Sequence, residues 1–386
     1  MGWDRQAPHV VDAPKPPVLG RWLLAALMAV LVCVLLFLLH ASERIPLLNT
    51  LNIWALSASP LVVWILAFAA RAHAYGTALS HCQFLEEEAQ SAQRSWQGWA
   101  QRYLAVSASC VLLPDQVSAS VLTQGSFDLP PRTGQARRIA ALPVGSERAQ
   151  AGLQMLIQAL VPALHALPTG QELRVTLLSD VDPCEYEALR DAWQQTWTIT
   201  MSRPLPIALT LASELSYRWI DESLKAATAA IELILVLQVH GDDSYSDGLA
   251  ALLLCPDSLA IVLELPITAG LLRPMPLDID ALDSELLLFL QTQVSACRAT
   301  GMLVDAADWQ PLTEKMLAVA GAHGASLKAE RQWTQERLCG LSGPLGHWLV
   351  TALGVEISRH QREPLLVLAR EESQHWMSTI TTGELA

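Results

Sequence analysis

The stretch Ile231–Leu254, IELILVLQVHGDDSYSDGLAALLL, decides the fold of this 386-residue chain. Its first part, Ile231–Val239, is an almost continuous apolar run, which is typical of a central strand buried on both faces. After a polar turn, Gly248–Leu254 predicts a second strand. We expect that strand to form a hairpin with a third one at Leu259–Leu265, around a turn at Pro256–Ser258.

Strands and helices alternate on both sides of this stretch, which indicates a layered α/β domain with a mixed sheet. The other predicted strands are Ser109–Leu113, Arg138–Val144, Glu172–Ser179, Pro206–Ala212, Pro364–Ala369 and His375–Thr381. The predicted helices are Glu147–Leu167, Cys184–Thr196, Glu214–Thr228, Asp283–Thr300, Leu312–Ala322, Thr334–Leu341 and Gly346–Ile357.

Two long apolar runs, Leu19–Leu39 and Leu51–Ala70, precede this domain. Each is long enough to cross a hydrocarbon core about 30 Å thick at about 1.5 Å per residue. A cleavable signal peptide has a shorter apolar core, and here a second run follows after a short connector. We therefore predict four parts: a cytoplasmic tail (1–18), a transmembrane helical hairpin (19–70), a juxtamembrane helix (71–106) and a cytoplasmic α/β domain (107–386).

Positive charges predict the orientation of the hairpin. Arg5, Lys15 and Arg21 precede the first run, Arg71 follows the second, and the connector holds only Arg44. Because Lys and Arg are retained on the cytoplasmic side, both termini and the soluble domain are expected in the cytoplasm.

Charge and cysteine content exclude several functional classes. The net charge of −13 argues against nucleic-acid binding, which needs a basic surface. The seven cysteines form no CxxC motif or Cys/His cluster, so we expect reduced thiols, no metal site and no cofactor. Asp242, Asp243 and Asp247 form either a solvated turn or a site for a hard cation, although the closing glutamate of an EF-hand is missing.

Three aromatic residues, Trp96, Trp99 and Tyr103, have helical spacing after the second apolar run. This pattern predicts a helix face that either packs in the core or contacts a lipid surface or a partner protein.

Three segments resemble, in order, the β-ketoacyl synthases, which have the thiolase-like fold. Ile231–Leu254 is similar to the family's strand, connector and (S)(D/E)GAAALLL strand. Gly340–Glu356, GLSGPLGHWLVTALGVE, is similar to the turn and helix of the K-x-x-x-GH-x-x-GAAG motif, and Pro364–Ile380 to the closing hairpin. The resemblance extends from about residue 141 to the C-terminus and implies a thiolase-like domain.

The resemblance also locates the nucleophile of a condensing enzyme, a cysteine at the start of a buried helix, where its pKa is lowered. The matching position follows the strand Pro206–Ala212 and holds Ser213 and Glu214, with no cysteine. Ser213 is expected either as a substitute nucleophile or as the N-cap of the next helix.

The family's two histidines are only partly matched. The first falls in Val304–Pro311, where Asp305, Asp308 and Trp309 stand instead, and negative charge is the wrong sign for an oxyanion site. The second matches His347, but Ser342 replaces the lysine before it. His347 is therefore a vestigial catalytic candidate or a structural histidine bonded within the core.

These losses imply a catalytically inactive thiolase-like scaffold, similar to accessory proteins of bacterial type VI secretion effector loci. Such a pseudoenzyme is expected at the inner membrane as a chaperone or adaptor for a secreted effector or spike component. It is also expected as a homodimer, or as a heterodimer with another thiolase-like protein. Two alternatives stay open: an acyl-transfer enzyme that uses His347 with Ser213 or an aspartate of residues 304–311, and a membrane immunity protein whose hairpin is the working part.

Overall fold

The computed structural model of the protein describes residues 2–4, 12–42, 52–124, 130–145, 147–226 and 228–383. These residues form two compact units, residues 1–95 and 96–386. The connector residue Arg44, and with it part of the orientation argument, lies outside the described residues.

The described helices are, in chain order, α1 (Leu19–Ala41), α2 (Ile53–Ala100), α3 (Ala119–Thr123), α4 (Arg148–Ala166), α5 (Tyr186–Thr200), α6 (Trp219–Ala226), α7 (Asp257–Val262), α8 (Leu282–Thr292), α9 (Val294–Cys297), α10 (Gln310–Ala322), α11 (Gln335–Cys339) and α12 (Gly346–Gln361). The strands are β1 (Tyr103–Leu112), β2 (Leu173–Ser179), β3 (Ala208–Ala212), β4 (Ile231–Gln238), β5 (Gly248–Pro256), β6 (Ala269–Leu272), β7 (Met275–Leu277), β8 (Gly301–Val304), β9 (Gln332–Thr334), β10 (Leu365–Glu371) and β11 (Gln374–Thr382).

The two apolar runs form two helices that are long and apolar enough to cross a membrane. They pack as an antiparallel pair through aromatic side chains. The indole N–H of Trp64 donates to the carbonyl oxygen of Trp22 at 3.1 Å. Near the C-terminal end of α1 and the N-terminal end of α2, the ring centroids of Phe37 and Trp54 lie 6.1 Å apart. The second helix is one continuous segment of 48 residues, so the predicted juxtamembrane helix (71–106) is its continuation and ends at Ala100.

The α/β domain contains a mixed sheet whose strands follow the order β3-β2-β4-β5-β1-β6-β11-β10-β8-β9, with β7 beside β11. Each half of this path has the same design. In the first half β2 pairs in parallel with β3 and β4, and β5 runs antiparallel to β4 and β1. In the second half β8 pairs in parallel with β9 and β10, and β11 runs antiparallel to β10 and β6. The antiparallel pair β1–β6 joins the halves.

Two large apolar clusters lie on the two faces of the first half-sheet, and further buried apolar residues of α8, α10, β8 and β10 lie outside both clusters. One cluster joins α4 and α5 to that half-sheet. The other contains α12 with α3 and α6, and reaches strands of both halves. The predicted fold class, a layered α/β domain with a mixed sheet preceded by two apolar helices, is thus confirmed.

Two predicted strands are wrong. Leu259–Leu265 is not the hairpin partner of β5, because β4 and β1 already occupy both edges of that strand, and the chain turns into α7 instead. Arg138–Val144 is an irregular segment, because the Asp247 carboxylate takes the Ile139 N–H at 2.8 Å in place of a strand partner.

Helix α12 is deeply buried, since every residue from Gly346 to Ser358 is buried. Its close packing depends on Gly354. A Cβ atom at this position would lie 2.7 Å from Ile380 Cδ1 and 3.0 Å from Val367 Cγ2, inside van der Waals contact.

We expect Gly354→Val to lower the free energy of unfolding by about 2 to 3 kcal/mol, because extra methyl groups overfill this contact. Gly321→Val is the matched control, because Gly321 also lies in a helix and a Cβ atom there would meet nothing within 4 Å. Thermal unfolding of the full-length protein in detergent measures both, and a Tm decrease of several degrees is expected for Gly354→Val alone. Equal Tm values for the two variants would contradict this account of the packing.

Candidate functional site

The positions that match the family's catalytic groups converge where β3 and β8 end and α12 begins. The segment after β3, residues 213–218, contacts the first turn of α12 through Leu215 and the hairpin β10–β11 through Ser216 and Tyr217. Asp305, the residue after β8, accepts a hydrogen bond from Arg370 of β10. Together these elements form one hydrogen-bonded cluster, which we call the α12 site.

His347 occupies the first turn of α12 and is only 2% exposed. Its Nε2 lies 3.0 Å from the Leu215 carbonyl oxygen, and the Trp348 indole N–H donates to the same oxygen at 2.8 Å. Because a carbonyl oxygen only accepts, Nε2 carries the hydrogen and Nδ1 holds the lone pair. Nδ1 has no partner, and burial lowers the pKa of His347, so the ring is neutral near pH 7.

Tyr217 fills the space between α12 and β11. Its hydroxyl lies 3.0 Å from the Thr351 hydroxyl and 2.9 Å from that of Ser378. Since Thr351 donates to the His347 carbonyl, Tyr217 donates to Thr351 and accepts from Ser378. Burial raises the pKa of the Tyr217 phenol. Tyr217 is therefore a neutral space-filling group with both hydrogen bonds satisfied.

The carboxylate of Glu371 ties the segment after β3 to the closing hairpin. One of its oxygens accepts from the Ser216 hydroxyl at 3.2 Å, the Tyr217 N–H at 3.1 Å and the Trp376 indole at 3.0 Å. Sequence reasoning missed Glu371, since a single acidic residue at a strand end carries no motif.

Asp305 lies in Val304–Pro311, the stretch that resembles the turn of the first histidine in the β-ketoacyl synthases, and it is 3% exposed. Its two carboxyl oxygens accept from the Trp309 indole and the Arg370 N–H, both at 2.7 Å. Burial is the largest effect on this group and raises its pKa to about 6. Ser342, at the position of the family's lysine, donates to the Asp305 carbonyl at 2.8 Å. Asp308 is exposed and forms an ion pair with Arg370.

The described site contains no thiol and no helix N-cap at the position of the nucleophile. Ser213 is exposed, and the predicted N-cap role is wrong because α6 begins six residues later, at Trp219. The half-buried Cys110 and the buried Cys255 and Cys339 lie elsewhere in the domain. Desolvation raises the pKa of Cys110 and Cys255 to about 11 and that of Cys339 to about 12. None of these three is poised as a thiolate.

The predicted aromatic face does not exist as a single helix face. Trp96 is buried at the end of α2, Trp99 is half-buried, and Tyr103 begins β1. The guanidinium of Arg273 stacks 4.8 Å from the Trp99 ring and donates to the Trp99 carbonyl at 2.8 Å. The spacing argument failed for Tyr103 because the helix ends at Ala100.

The acidic turn is not arranged as a cation site. Asp247 is fully buried and forms ion pairs with Arg138 and Arg148, whereas the Asp242 side chain is almost fully exposed. Within the described ranges, no group of three or more His, Cys, Asp or Glu side chains is placed to hold a metal ion.

No protein-family model and no curated protein matches this sequence. Among solved structures the chain is similar to a type II polyketide synthase acyl-carrier protein in complex with its ketosynthase bound to the hexaketide, at 11% identity, with 73% of this chain and 99% of that chain covered and a TM-score of 0.49. It is also similar to the oxazolomycin ketosynthase domain of Streptomyces albus, at 12% identity, with 72% and 95% covered and a TM-score of 0.46.

A third similar structure is 3-oxoacyl-acyl-carrier-protein synthase III of Aquifex aeolicus, at 10% identity, with 72% and 99% covered and a TM-score of 0.39. The α/β domain itself shows a mixed sheet built from two similar halves. The thiolase-like resemblance stays a prediction from the sequence, and these distant likenesses say nothing about chemistry.

The protonation of Asp305 makes stability depend on pH in a defined direction. Its pKa is 3.8 in an ordinary environment and about 6 in the folded protein. Between these values the folded protein keeps a proton that the unfolded chain loses, so stability decreases as pH rises through this window.

We expect wild type to lose stability relative to Asp305→Asn between pH 4.5 and pH 7, by about 2 kcal/mol. The amide of the Asp305→Asn variant has only one oxygen, so either the Trp309 indole or the Arg370 N–H loses its acceptor and the variant loses a constant amount of stability at every pH. Only the change of the stability difference with pH therefore reports on Asp305. The measurement is the difference in Tm between the two proteins at pH 4.5, 5.5 and 7. Parallel Tm profiles would show that Asp305 does not titrate in this window.

Proposed function

We propose that this protein is a membrane-anchored thiolase-like scaffold without condensing activity, which holds or loads a secreted effector or spike component of a bacterial type VI secretion system. The two apolar helices anchor it in the inner membrane, and both termini and the α/β domain face the cytoplasm. The assignment to secretion rests on the resemblance to accessory proteins of effector loci. The inactivity rests on the α12 site.

The observation that carries the proposal is the Leu215 carbonyl bonded by both His347 and Trp348. In an acyl-transfer site, donors of this kind must be free to stabilise the developing oxyanion, and a thiolate or activated hydroxyl must lie beside them. Here the chain's own carbonyl takes both donors, and Ser213 has no helix start to activate it. Asp305 supports the same reading, because a carboxyl group adds no positive charge.

We expect no covalent acyl-protein when the purified full-length protein is incubated with acetyl-CoA or an acyl-carrier substrate, because the described α12 site contains no activated nucleophile. Mass spectrometry of the intact protein is the measurement. His347→Gln serves as the companion variant and is expected to behave as wild type. An acyl adduct or turnover that disappears in His347→Gln would instead establish the altered acyl-transfer enzyme.

A partner requires a surface, and the edge of the first half-sheet provides one. Within the described part of the chain, β3 pairs only with β2, so one row of its backbone groups is unpaired. The segment Ile207–Ala212 contains no charge and no proline, the residues that usually protect edge strands. Ile207 is fully exposed, and Ile199 and Leu205 are also exposed. A cleft of about 710 Å³ is lined in part by Leu205 and Ile207.

This edge suits an apolar strand of another protein, which would add to the sheet by main-chain hydrogen bonds. A partner of different composition is favoured over a second copy, because two chains of net charge −13 repel each other. The occupant in our proposal is therefore a strand of the secreted partner, and a homodimer is the competing outcome.

The test is affinity purification of the detergent-solubilised full-length protein from its native cells, analysed by mass spectrometry. We expect one secreted toxin or spike component in near-equal amount, and we expect Ile207→Asp to reduce its recovery about tenfold or more by placing a charge in an apolar interface. Val144→Asp is the matched control, since Val144 is equally exposed but lies in a loop away from β3.

Other outcomes of this experiment are equally informative. Recovery of acyl-carrier protein would contradict the scaffold. Equal recovery of the partner by Ile207→Asp and wild type would contradict the docking surface at β3. Protective activity retained by about the first hundred residues would point to the immunity protein instead.

A further inference from the structure

Residues 213–216 cross the first turn of α12 without forming regular structure. Ser213, Glu214 and Ser216 are exposed, while Leu215 is half-buried and packs against the central core. The segment is thus a surface stretch with one residue turned inward. Its carbonyl group makes the contact that matters.

The Leu215 carbonyl lies in a site with two rigid donors. Trp348 is completely buried and His347 nearly so, and both belong to a helix enclosed by both half-sheets. Two side-chain N–H groups that meet at one oxygen, 3.0 and 2.8 Å away, form a carbonyl-binding site. That site is filled by the chain itself.

A single carboxylate holds the segment in place on the other side. Glu371 accepts from the hydroxyl of Ser216 and from the N–H of Tyr217. Hydrogen bonds to an ionised group are about twice as strong as neutral ones, so Glu371 contributes much of the force that keeps the segment closed. The buried Tyr217 hydroxyl forms hydrogen bonds with the hydroxyls of Thr351 and Ser378. Tyr217 therefore anchors the C-terminal end of the segment in the core.

We propose that residues 213–216 form an autoinhibitory strap, with the Leu215 carbonyl as an internal ligand and Glu371 as its latch. When the strap opens, the N–H groups of His347 and Trp348 become available to another carbonyl. The groups that now make these hydrogen bonds are the Leu215 carbonyl, the Ser216 hydroxyl and the Tyr217 N–H. A short extended peptide would present groups of the same kinds in the same order. The incoming group is therefore a main-chain carbonyl of the docked partner, and in this respect alone the inference rests on the proposed function.

The test measures strap opening in the full-length protein and needs no partner. Hydrogen exchange read by mass spectrometry is expected to accelerate about tenfold or more in peptides covering residues 214–219 of Glu371→Ala, and less in Glu371→Gln. Exchange of α12 and β4 stays unchanged. Diethyl pyrocarbonate is expected to modify His347 faster in the same variants, because opening exposes its Nε2.

Glu372→Gln is the matched control, since Glu372 is the next residue, carries the same charge and is exposed. Ser216→Ala removes one latch bond from an exposed position and decides the question if the Glu371 variants fail to fold; a smaller acceleration confined to the same peptides is expected. The strap is disproved if exchange at 214–219 equals that of Glu372→Gln, or if it rises together with exchange of the whole domain. Neither result bears on whether a secreted partner binds at β3.

Discussion

The enclosure of α12 is the constraint on which the rest of the domain depends. Thirteen consecutive residues of this helix are buried, so every polar group on it needs a partner inside the protein. Thr351 donates to the His347 carbonyl, and Ser358 donates to that of Glu363 at 2.9 Å. Glu356 is met by Ser109 and Arg359. These hydrogen bonds stabilise the enclosed helix, and His347 Nδ1 is the exception that has no partner within the described structure.

The same enclosure decides the chemistry of His347. Burial keeps the ring neutral, and its one polar hydrogen is used by a backbone carbonyl, so the residue serves the packing of the segment after β3. A catalytic histidine needs the opposite arrangement, with a free nitrogen facing a nucleophile. The free nitrogen here, Nδ1, has no hydrogen-bond partner within the described structure. The exposed, unactivated Ser213 and the bonded donors of His347 and Trp348 both support the proposed absence of condensing activity.

Sequence reasoning succeeded where burial leaves an uninterrupted pattern. β4 and β5 were predicted because strands buried on both faces leave an apolar run, and the closing pair β10–β11 because both strands are long. α12 was predicted although His347, Thr351 and Glu356 interrupt its apolar residues. Sequence reasoning failed for β6 and β8, whose four residues are too short for a period, and for Leu259–Leu265, whose apolar residues belong to a short helix. The position of His347 was predictable from Gly346-His347. Its partner was not, because any residue can supply a backbone carbonyl and only the fold selects Leu215.

The excess of tryptophan over phenylalanine, 13 against 5, has a physical basis in the same site. A buried indole provides apolar volume together with one N–H donor, which phenylalanine lacks. Trp348 donates to Leu215, Trp376 to Glu371 and Trp309 to Asp305, so three indoles fix the segments that surround the start of α12. A fourth, Trp197, donates to the Arg203 carbonyl at 3.1 Å and fixes the loop that leads into β3. Replacing these tryptophans with phenylalanine would keep most of the apolar contact but leave buried carbonyl and carboxylate oxygens short of donors. Four irregular or turning segments beside the core are thus held by indole N–H groups, whereas the buried Trp193 indole has no hydrogen-bond partner within the described structure and serves packing alone.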